Sequence, residues 1–440
     1  MSVNFKDTRT TIGKHMLADG MSPIIDLERS HGSWLVDGNT GKEYLDLFSM
    51  YASMSIGYNH PYVLNNLDRL TKASVNKPAN SDIYSPEMAE FVDTVGRVAQ
   101  PAYMPYAFYI EGGGLAVENA LKTAFDWKAR KLGRTNFSDD VNDLVILHFD
   151  QAFHGRSGYT MSLTNTLPDK IGLFPKFNWP RVSNPFCEFD NEGNVVNDIE
   201  AAEAKTYAEI ERAFEEHSNR IAAIIIEPMQ GEGGDNHFRN EFLEKLRQYA
   251  DERESLLIFD EVQTGFYGSG KPWFWQHTTV RPDIVSFGKK TQVCGIYASK
   301  RVDEIVDNVF KLSSRINSTW GGNLVDMVRC TQFIKIIEQN NIAELVTKVG
   351  NHIITGLRSI ANDTGVFTSV RGKGSLIAFT MPSQEHRTAI LQSLWKAGVI
   401  ALPCGIQSVR FRLPLVMTIE EADELLNRAQ TAVSSLASVV

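Results

Sequence analysis

The strongest constraint on the fold of this 440-residue chain is an alternation of short apolar runs with helical segments. The runs "IAAIII" (221–226) and "SLLIFD" (255–260) are apolar without alternation, which is typical of parallel strands covered on both faces. The helical patterns "DIEAAEAKTYAEIERAFEEH" and "FRNEFLEKLRQYADERE" precede these two runs. Strands that alternate with helices predict right-handed βαβ units in a mostly parallel sheet.

The two ends of the chain depart from this pattern. Residues 24–48 alternate around "DGNTGK", which is typical of a hairpin turn. From about residue 325, two long helical patterns are followed by short strands such as "SLIAFTM" and "VRFRL". A chain of 440 residues also exceeds the usual size of one hydrophobic core. We therefore predict an α/β fold, with a large mostly parallel domain over residues 61–325 and a smaller α+β domain built from residues 1–60 and 326–440.

Composition argues against several classes of protein. The 53 acidic side chains outnumber the 44 basic ones, so the net charge of −9 disfavours a general nucleic-acid binder. The four cysteines are scattered, with no paired spacing for zinc or a disulfide framework. We therefore expect no metal site and a reduced, cytoplasmic setting. We expect no membrane association either, because the first 20 residues lack the apolar segment of a secretory signal and no apolar stretch approaches a membrane span.

Polar clusters follow five of the predicted strands. They are "EGGG" (111–114), "DQAFHGR" (150–156), "EPMQGEGG" (227–234), "DEVQTG" (260–265) and "GKK" (288–290). Open α/β sheets bind their ligands beyond the carboxyl ends of the strands. One such cluster alone is more often a turn or a cap, but five at consecutive strand ends predict a shared ligand site.

The residue types in these clusters indicate a particular ligand. A lysine after a core strand can form a Schiff base with an aldehyde, because partial desolvation favours its neutral amine. Asp260 at the end of "LLIFD" could hold a protonated ring nitrogen, which makes a pyridine ring an electron sink. The glycines of "EGGG" offer backbone N–H groups to a phosphate, and Phe153 is available to cover a ring face. Together these groups predict a site for pyridoxal 5′-phosphate.

Longer motifs carry a family resemblance over nearly the whole chain. The segments "GKEYLDLFSMYASMSIGYNHP", "EPMQGEGG", "FDEVQTGF", "RPDIVSFGK" and "STWGGN" resemble, in the same order, motifs of the class III (omega) aminotransferases. That family belongs to the fold-type I pyridoxal phosphate enzymes, so the resemblance implies a homodimer with active sites at the subunit interface.

The resemblance also implies a reaction. The segments "EGGGLAVENALKTAFDWKARK", "FGKKTQVCG" and "NSTWGGNL" are most similar to family members that act on the ε-amino group of L-lysine. Such members transfer this group to 2-oxoglutarate. The products are L-glutamate and 2-aminoadipate 6-semialdehyde, which cyclises.

The resemblance further implies the cofactor contacts. Lys289 is the implied Schiff-base residue and proton carrier, and Asp260 the partner of the ring nitrogen, so both are expected catalytic residues. Thr319 is expected to bind the phosphate in the neighbouring subunit's site. Many relatives have Ser or Thr where this chain has Gly114, so backbone groups and Thr319 must carry more of that contact. The full set of implied cofactor-binding residues is Gly113, Gly114, Phe153, Glu227, Asp260, Gln263, Lys289 and Thr319.

Four residues are implied as substrate contacts. Arg156 in "FHGRSG" resembles the arginine that binds the carboxylate far from the reacting carbon, and a planar guanidinium suits bidentate binding. Arg410 in "VRFRLPL" resembles a second arginine for the α-carboxylate of the oxo acid, although nearby Arg412 leaves that assignment open. Glu232 resembles the acid that neutralises this arginine while the amine donor is bound. Asn317 in "NSTWGGN" completes the set.

Two questions stay open at this point. Counting forward from "RPDIV" makes Lys289 the cofactor lysine, whereas counting backward from Gly295 makes it Lys290. Residue positions in a strand are more constrained than those in the loop after it, which can absorb an extra residue. We therefore predict that Lys289 is the cofactor lysine. The amine donor could also be ornithine, 4-aminobutyrate or another ω-amine. A pyridoxal phosphate racemase, decarboxylase or aminomutase, or a non-catalytic relative, is a less favoured interpretation.

Overall fold

The computed structural model describes residues 3–437. Its helices are α1 (Phe5–Ile12), α2 (Ser49–Ala52), α3 (Pro61–Leu64), α4 (Leu67–Val75), α5 (Pro86–Val98), α6 (Gly113–Lys131), α7 (Gly158–Leu163), α8 (Pro168–Ile171), α9 (Ile199–His217), α10 (Asn240–Glu252), α11 (Leu324–Gln339), α12 (Ile342–Thr364), α13 (Gln384–Lys396) and α14 (Ile419–Ala437). Short 3₁₀ helices cover Ser218–Arg220, Phe274–His277, Lys289–Thr291 and Lys300–Glu304. None of the helices in this part of the chain is long and apolar enough to cross a membrane.

The strands of the same residues are mostly short. They are β1 (Trp34–Val36), β2 (Glu43–Asp46), β3 (Tyr106–Ile110), β4 (Val145–Phe149), β5 (Arg181–Val182), β6 (Ile221–Ile226), β7 (Met229–Gln230), β8 (Asn236–His237), β9 (Leu256–Asp260), β10 (Ile284–Phe287), β11 (Cys294–Ala298), β12 (Thr368–Lys373), β13 (Leu376–Thr380), β14 (Val399–Ile400), β15 (Leu402–Cys404) and β16 (Ser408–Arg412).

A seven-stranded sheet carries the polar clusters. Its order is β3-β11-β10-β9-β6-β4-β5, and all neighbours from β10 to β5 pair in parallel. Strand β11 is antiparallel to both of its neighbours. The predicted α/β fold with a mostly parallel sheet is therefore confirmed. Because parallel strands have their carboxyl ends at one edge, the clusters after β4, β6, β9 and β10 meet there.

The apolar runs lack alternation because helices cover both faces of this sheet. Ile225 of β6 packs in a cluster with Leu121 of α6, whereas its neighbour Ile224 packs in a cluster with Phe242 of α10. All six residues of β6 are buried. Full burial of one such isoleucine contributes roughly 1.5–3 kcal/mol, so a polar residue at either position would be costly.

Both ends of the chain build the remaining large sheets. Strands β12-β13-β16-β15 form a four-stranded sheet, and β1-β2-β14 form a three-stranded sheet. In the latter, β14 runs parallel to β2 and pairs Val399 with Leu45, so the two ends of the chain meet. Helix α11 packs against α4 and α5, and contributes Met327 to the core of the seven-stranded sheet. The exact domain limits at 60/61 and 325/326 remain a prediction.

Candidate active site

A cavity of about 500 Å³ lies beyond the carboxyl ends of the seven-stranded sheet. Residues from all five predicted clusters line it, together with Tyr51 and Arg410 from the terminal parts of the chain. The predicted site residues in its wall are Gly113, Gly114, Phe153, Glu227, Glu232, Asp260, Gln263, Lys289 and Arg410. The fold therefore brings together most of the side chains that the motifs indicated.

Asp260, the last residue of β9, is held through both of its carboxylate oxygens. Oδ1 accepts hydrogen bonds from the backbone N of Val262 at 3.0 Å and from the hydroxyl of Ser286 at 3.1 Å. Oδ2 lies 2.8 Å from Nδ1 of the buried His154. Ser286 is the direct β10 partner of Asp260 in the parallel register. These contacts orient a buried carboxylate in the cavity wall.

The two adjacent lysines after β10 have different surroundings. Lys289 lines the cavity and has a left-handed φ of 53°, which costs a non-glycine residue about 1 kcal/mol. Burial, and next the charge of Arg410, lower the pKa of Lys289 to about 8. Lys290 is only 1% exposed, and its Nζ donates a hydrogen bond of 2.7 Å to the carbonyl of Gln263. The geometry thus favours Lys289 as the reactive amine and gives Lys290 a structural contact.

Glu227 follows β6 as a buried carboxylate. Its Oε1 accepts a hydrogen bond of 3.0 Å from the backbone N of Phe153, and its Oε2 one of 3.0 Å from the backbone N of Gly231. Burial raises the pKa of Glu227 to about 7, against an opposing effect of His154. Through the first of these bonds, Glu227 fixes the backbone that presents the Phe153 ring to the cavity.

The glycines after β3 form the wall at the start of α6. A Cβ atom on Gly113 would lie 2.7 Å from Cγ1 of Val262, so a larger residue does not fit without movement. A Cβ atom on Gly114 would have Oγ of Ser157 as its nearest contact, at 3.6 Å. Within the described part of the chain, no side-chain hydrogen bond caps the N-terminus of this 19-residue helix. Its first N–H groups and positive dipole end therefore suit a phosphate.

The two arginines of β16 differ in their partners. Arg412 is fully buried and pairs with Asp235, with Nη1 2.7 Å from Oδ2. Arg410 lines the cavity, and its Nη1 donates a hydrogen bond of 3.2 Å to Oε1 of Gln263. Within residues 3–437, Nε of Arg410 has no hydrogen-bond partner and its guanidinium has no carboxylate partner. A buried arginine without an acid is costly, so the geometry favours Arg410 over Arg412 as a carboxylate-binding residue.

Glu232 lines the same cavity but pairs with another cation. Its Oε1 accepts a hydrogen bond of 2.8 Å from the hydroxyl of Thr166 and forms an ion pair with Nζ of Lys170 in α8. Glu232 and Arg410 both belong to the described residues, and no ion pair joins them. Neutralisation of Arg410 by Glu232 therefore remains a prediction.

Three predicted residues lie outside this cavity within the single chain. Arg156, Asn317 and Thr319 are exposed. The carbonyl of Thr319 accepts a hydrogen bond of 3.3 Å from the hydroxyl of Ser81, and Oδ1 of Asn317 accepts one of 2.8 Å from the backbone N of Ser318. Their roles toward substrate or a neighbouring subunit remain predictions.

Sequence patterns did not indicate Lys170, Ser286 or Asp235. Ser286 stands three residues before Lys289, and the parallel register of β10 and β9 could have suggested its contact with Asp260. Lys170 lies in the short helix α8, which carries no motif, and Asp235 is 177 positions from Arg412, so no local pattern pointed to either.

The residues of the cavity fit pyridoxal phosphate. A buried carboxylate, an amine with lowered pKa, an aromatic ring and an uncapped helix N-terminus all line the cavity. Its volume of about 500 Å³ lies within the usual range for cofactor sites.

The fold and this site together are those of an aminotransferase. A family model described as Aminotransferase class-III matches residues 16–433, and the chain belongs to that family. L-lysine-epsilon aminotransferase of Mycobacterium tuberculosis (strain CDC 1551 / Oshkosh) is 45% identical over 425 residues, which are 96% of this chain and 94% of that protein. The enzyme of the same name from Streptomyces clavuligerus is 43% identical over 444 residues, which are 100% of this chain and 96% of that protein.

Solved structures agree with the family assignment. Lysine aminotransferase from M. tuberculosis in the internal aldimine form has a TM-score of 0.94 and 43% identity, covering 99% of this chain and 100% of that chain. Ornithine aminotransferase from Toxoplasma gondii ME49 has a TM-score of 0.81 at 20% identity, and shows the fold alone. The predicted family and fold-type I class are therefore confirmed.

Proposed function

We propose that this chain is a pyridoxal phosphate-dependent L-lysine 6-aminotransferase, with 2-oxoglutarate as amino acceptor. The products would be L-glutamate and 2-aminoadipate 6-semialdehyde, which cyclises. The observation that carries the choice of amine donor is the identity of 45% to L-lysine-epsilon aminotransferase over 96% of the chain. Identity to the mitochondrial 4-aminobutyrate aminotransferase of Rattus norvegicus is lower, at 32% over 93% of the chain.

The cavity supports cofactor binding by residues on several strand ends. Asp260 would hold the ring nitrogen, Phe153 would cover one ring face, and Gln263 would contact the phenolic oxygen. Backbone N–H groups at Gly113 and Gly114 would bind the phosphate. When bound, pyridoxal phosphate supplies an aldehyde that takes up amino groups and a ring that withdraws electrons from the adjacent carbon.

Lys289 would supply the acid–base chemistry. Its pKa of about 8 lies near neutrality, so the amine can both accept and return a proton under ordinary conditions. Asp260 would supply the negative charge that a protonated ring nitrogen requires, and its contacts with His154 and Ser286 keep it in one orientation. Glu227 would act indirectly, by holding the backbone of Phe153.

The two substrates place different demands on Arg410. The oxo acid has a carboxylate next to its reacting carbon, and Arg410 would bind that group. L-lysine has no carboxylate near its ε-carbon, so Glu232 would neutralise Arg410 while lysine is bound. Arg156 would bind the carboxylate at the far end of either substrate, and Asn317 would contribute a further polar contact.

The assembly and location belong to the same proposal. We propose a homodimer in which Thr319 of each chain binds the phosphate in the other chain's site, because Thr319 is exposed and lies outside its own cavity. A cytoplasmic location is supported by the four cysteines, which are free thiols.

An amine-donor panel tests this function. Purified holoenzyme is supplied with 2-oxoglutarate and, in turn, L-lysine, L-ornithine or 4-aminobutyrate, and glutamate formation is measured. L-lysine should give the highest kcat/KM. A higher value for another donor would replace lysine as the proposed donor, and absence of glutamate formation with every donor would exclude transamination of these amines.

A further inference from the structure

Glu232 has an unexpected cationic partner beside the cavity. Nζ of Lys170 forms an ion pair with Oε1 of Glu232, and the hydroxyl of Thr166 donates to the same oxygen at 2.8 Å. The side chains of Lys170 and Glu232 are 30% and 20% exposed. Nζ of Lys170 also lies 5.6 Å from the ring centroid of Phe153, within the range of a cation–π contact. Lys170 is therefore anchored to two residues of the cavity wall.

Among the described residues, no carboxylate forms an ion pair with Arg410 in this arrangement. Its guanidinium is buried, and a neutral amide oxygen of Gln263 is its hydrogen-bond partner. The neighbouring Asp235 is engaged by Arg412. Burial and repulsion by Arg412 lower the pKa of Arg410, because the buried positive charge is not fully compensated by a nearby anion. A compensating carboxylate can come either from an oxo acid or from Glu232.

We propose that Lys170 is a positioning residue that holds Glu232 away from Arg410 and keeps Arg410 open for the carboxylate of the amino acceptor. The inference rests on the proposed function, and it deepens the roles given there to Glu232 and Arg410. Glu232 then has two alternative partners: Lys170 when a dicarboxylate occupies the cavity, and Arg410 when the amine donor does.

The competition between the two cations explains why Lys170 matters. One carboxylate oxygen of Glu232 is shared by Lys170 and Thr166, and loss of the lysine charge leaves the half-buried acid without a cation. Arg410 is then the cation that it can neutralise, and a dicarboxylate must displace Glu232 before it binds. The amine donor needs no such displacement, so its half-reaction is spared.

Lys170→Met tests the inference, since methionine keeps the apolar stem and removes the charge. The two half-reactions of the holoenzyme are followed separately by visible absorbance, one with L-lysine alone and one with the aminated enzyme and 2-oxoglutarate alone. The apparent KM for 2-oxoglutarate should rise about twofold to fivefold, as expected for loss of a partly exposed ion pair. The apparent KM for L-lysine should change less than twofold, because L-lysine does not have to displace Glu232 from Arg410.

Matched variants separate positioning from structural damage. Lys170→Arg keeps the charge and should restore the KM for 2-oxoglutarate. Lys176→Met removes a lysine of the same segment whose Nζ donates to the carbonyls of Ile171 and Phe174 at 2.8 Å, and it should leave both KM values unchanged. In a Glu232→Gln background, Lys170→Met should have no further effect on the KM for 2-oxoglutarate.

Two measurements do not depend on turnover. The Kd of holoenzyme for glutarate, an unreactive dicarboxylate, should rise in Lys170→Met by the same factor as the KM. A crystal structure of that variant should place the Glu232 carboxylate on Arg410. An unchanged Kd, or an equal effect of Lys170→Met in the Glu232→Gln background, overturns the inference. Failure of the wild-type enzyme to use L-lysine would instead reject the proposed function, and the glutarate titration would still decide the role of Lys170.

Discussion

Nδ1 of His154 lies 2.8 Å from Oδ2 of Asp260, and both side chains are buried. His154 lies in the loop after β4, whereas Asp260 ends β9, and β6 separates these strands in the sheet. The contact joins residues 106 positions apart, so it depends on the order of the parallel strands. It leaves the other oxygen of Asp260 to Ser286 and to the backbone N of Val262.

This contact predicts unequal effects of two conservative substitutions. Asp260→Asn should lower kcat about 100-fold or more, because a neutral amide cannot stabilise a protonated ring nitrogen. His154→Gln keeps a hydrogen-bonding group beside the carboxylate and should lower kcat only about tenfold, as expected of a residue that acts through another. Single-turnover rates with L-lysine measure both. A larger loss in His154→Gln would show that His154, and not Asp260, dominates.

Substitutions of the two lysines after β10 should have different effects, which distinguish the cofactor lysine from the structural one. Lys289→Ala should lose the visible absorption band of the holoenzyme and about 1,000-fold or more in kcat, because the acid–base group is removed. Lys290→Met should keep the band but lower the free energy of unfolding by about 1–3 kcal/mol, since the buried Gln263 carbonyl loses its donor. Absorbance spectra and urea unfolding provide the measurements. The reverse pattern would assign the cofactor to Lys290.

The lowered pKa of Lys289 predicts a pH-dependent reconstitution. With a pKa of about 8, this amine is mostly protonated below that pH and mostly neutral above it. Because the neutral amine attacks aldehydes, the rate of reconstitution of apoenzyme with pyridoxal phosphate should rise from about pH 6.5 to about pH 8.5 and then level off. The folded apoenzyme binds fewer protons than the unfolded chain between pH 8 and the ordinary lysine value of 10.5, so its stability should rise with pH there.

Stopped-flow absorbance across this pH range measures the reconstitution rate. Lys290→Met serves as the control and should give the same profile. A rate that rises only near pH 10 would indicate that Lys289 is not desolvated in the apoenzyme.

Serine substitutions at the two glycines that begin α6 should change the Kd for pyridoxal phosphate in opposite directions. Gly114→Ser places its Cβ 3.6 Å from the nearest atom and adds a hydroxyl at the helix N-terminus, so the Kd for pyridoxal phosphate should fall about tenfold. Gly113→Ser would bring its Cβ to 2.7 Å from Val262, and the Kd should rise. Titration of apoenzyme with the cofactor measures both constants. Equal weakening in the two variants would contradict the space available at Gly114.

Exchange of residues between subunits can be tested by complementation. Thr319→Ala and Lys289→Ala homodimers should each be impaired, because each lacks one part of both sites. Co-expressed chains should form mixed dimers with one complete site, so the population should recover about a quarter of wild-type activity, as expected for random pairing in a two-fold dimer. Absence of recovery, despite mixed dimers seen by native mass spectrometry, would mean that Thr319 serves its own chain.

Much of the fold and part of the site could be predicted from local patterns. Burial of β6 on both faces leaves an uninterrupted apolar run, and that run predicts a parallel strand before any contact is known. Lys289 and Asp260 could be predicted as candidate site residues for a related reason, since Lys289 follows such a run and Asp260 ends one. The choice between Lys289 and Lys290 required the backbone, because two neighbouring side chains of one turn lie in different surroundings.

The amino-acid sequence by itself determined the parallel sheet, the edge at which ligands bind, and the motif residues gathered there, because burial and strand order leave local periodic signals. The tertiary structure decided the partners of the charges. It paired Glu232 with Lys170, 62 positions away, and Arg412 with Asp235, 177 positions away, so neither of these two acids is paired with Arg410. Such pairings depend on which strand ends and loops meet in space, and a charged side chain carries no local signal of the partner that it will find.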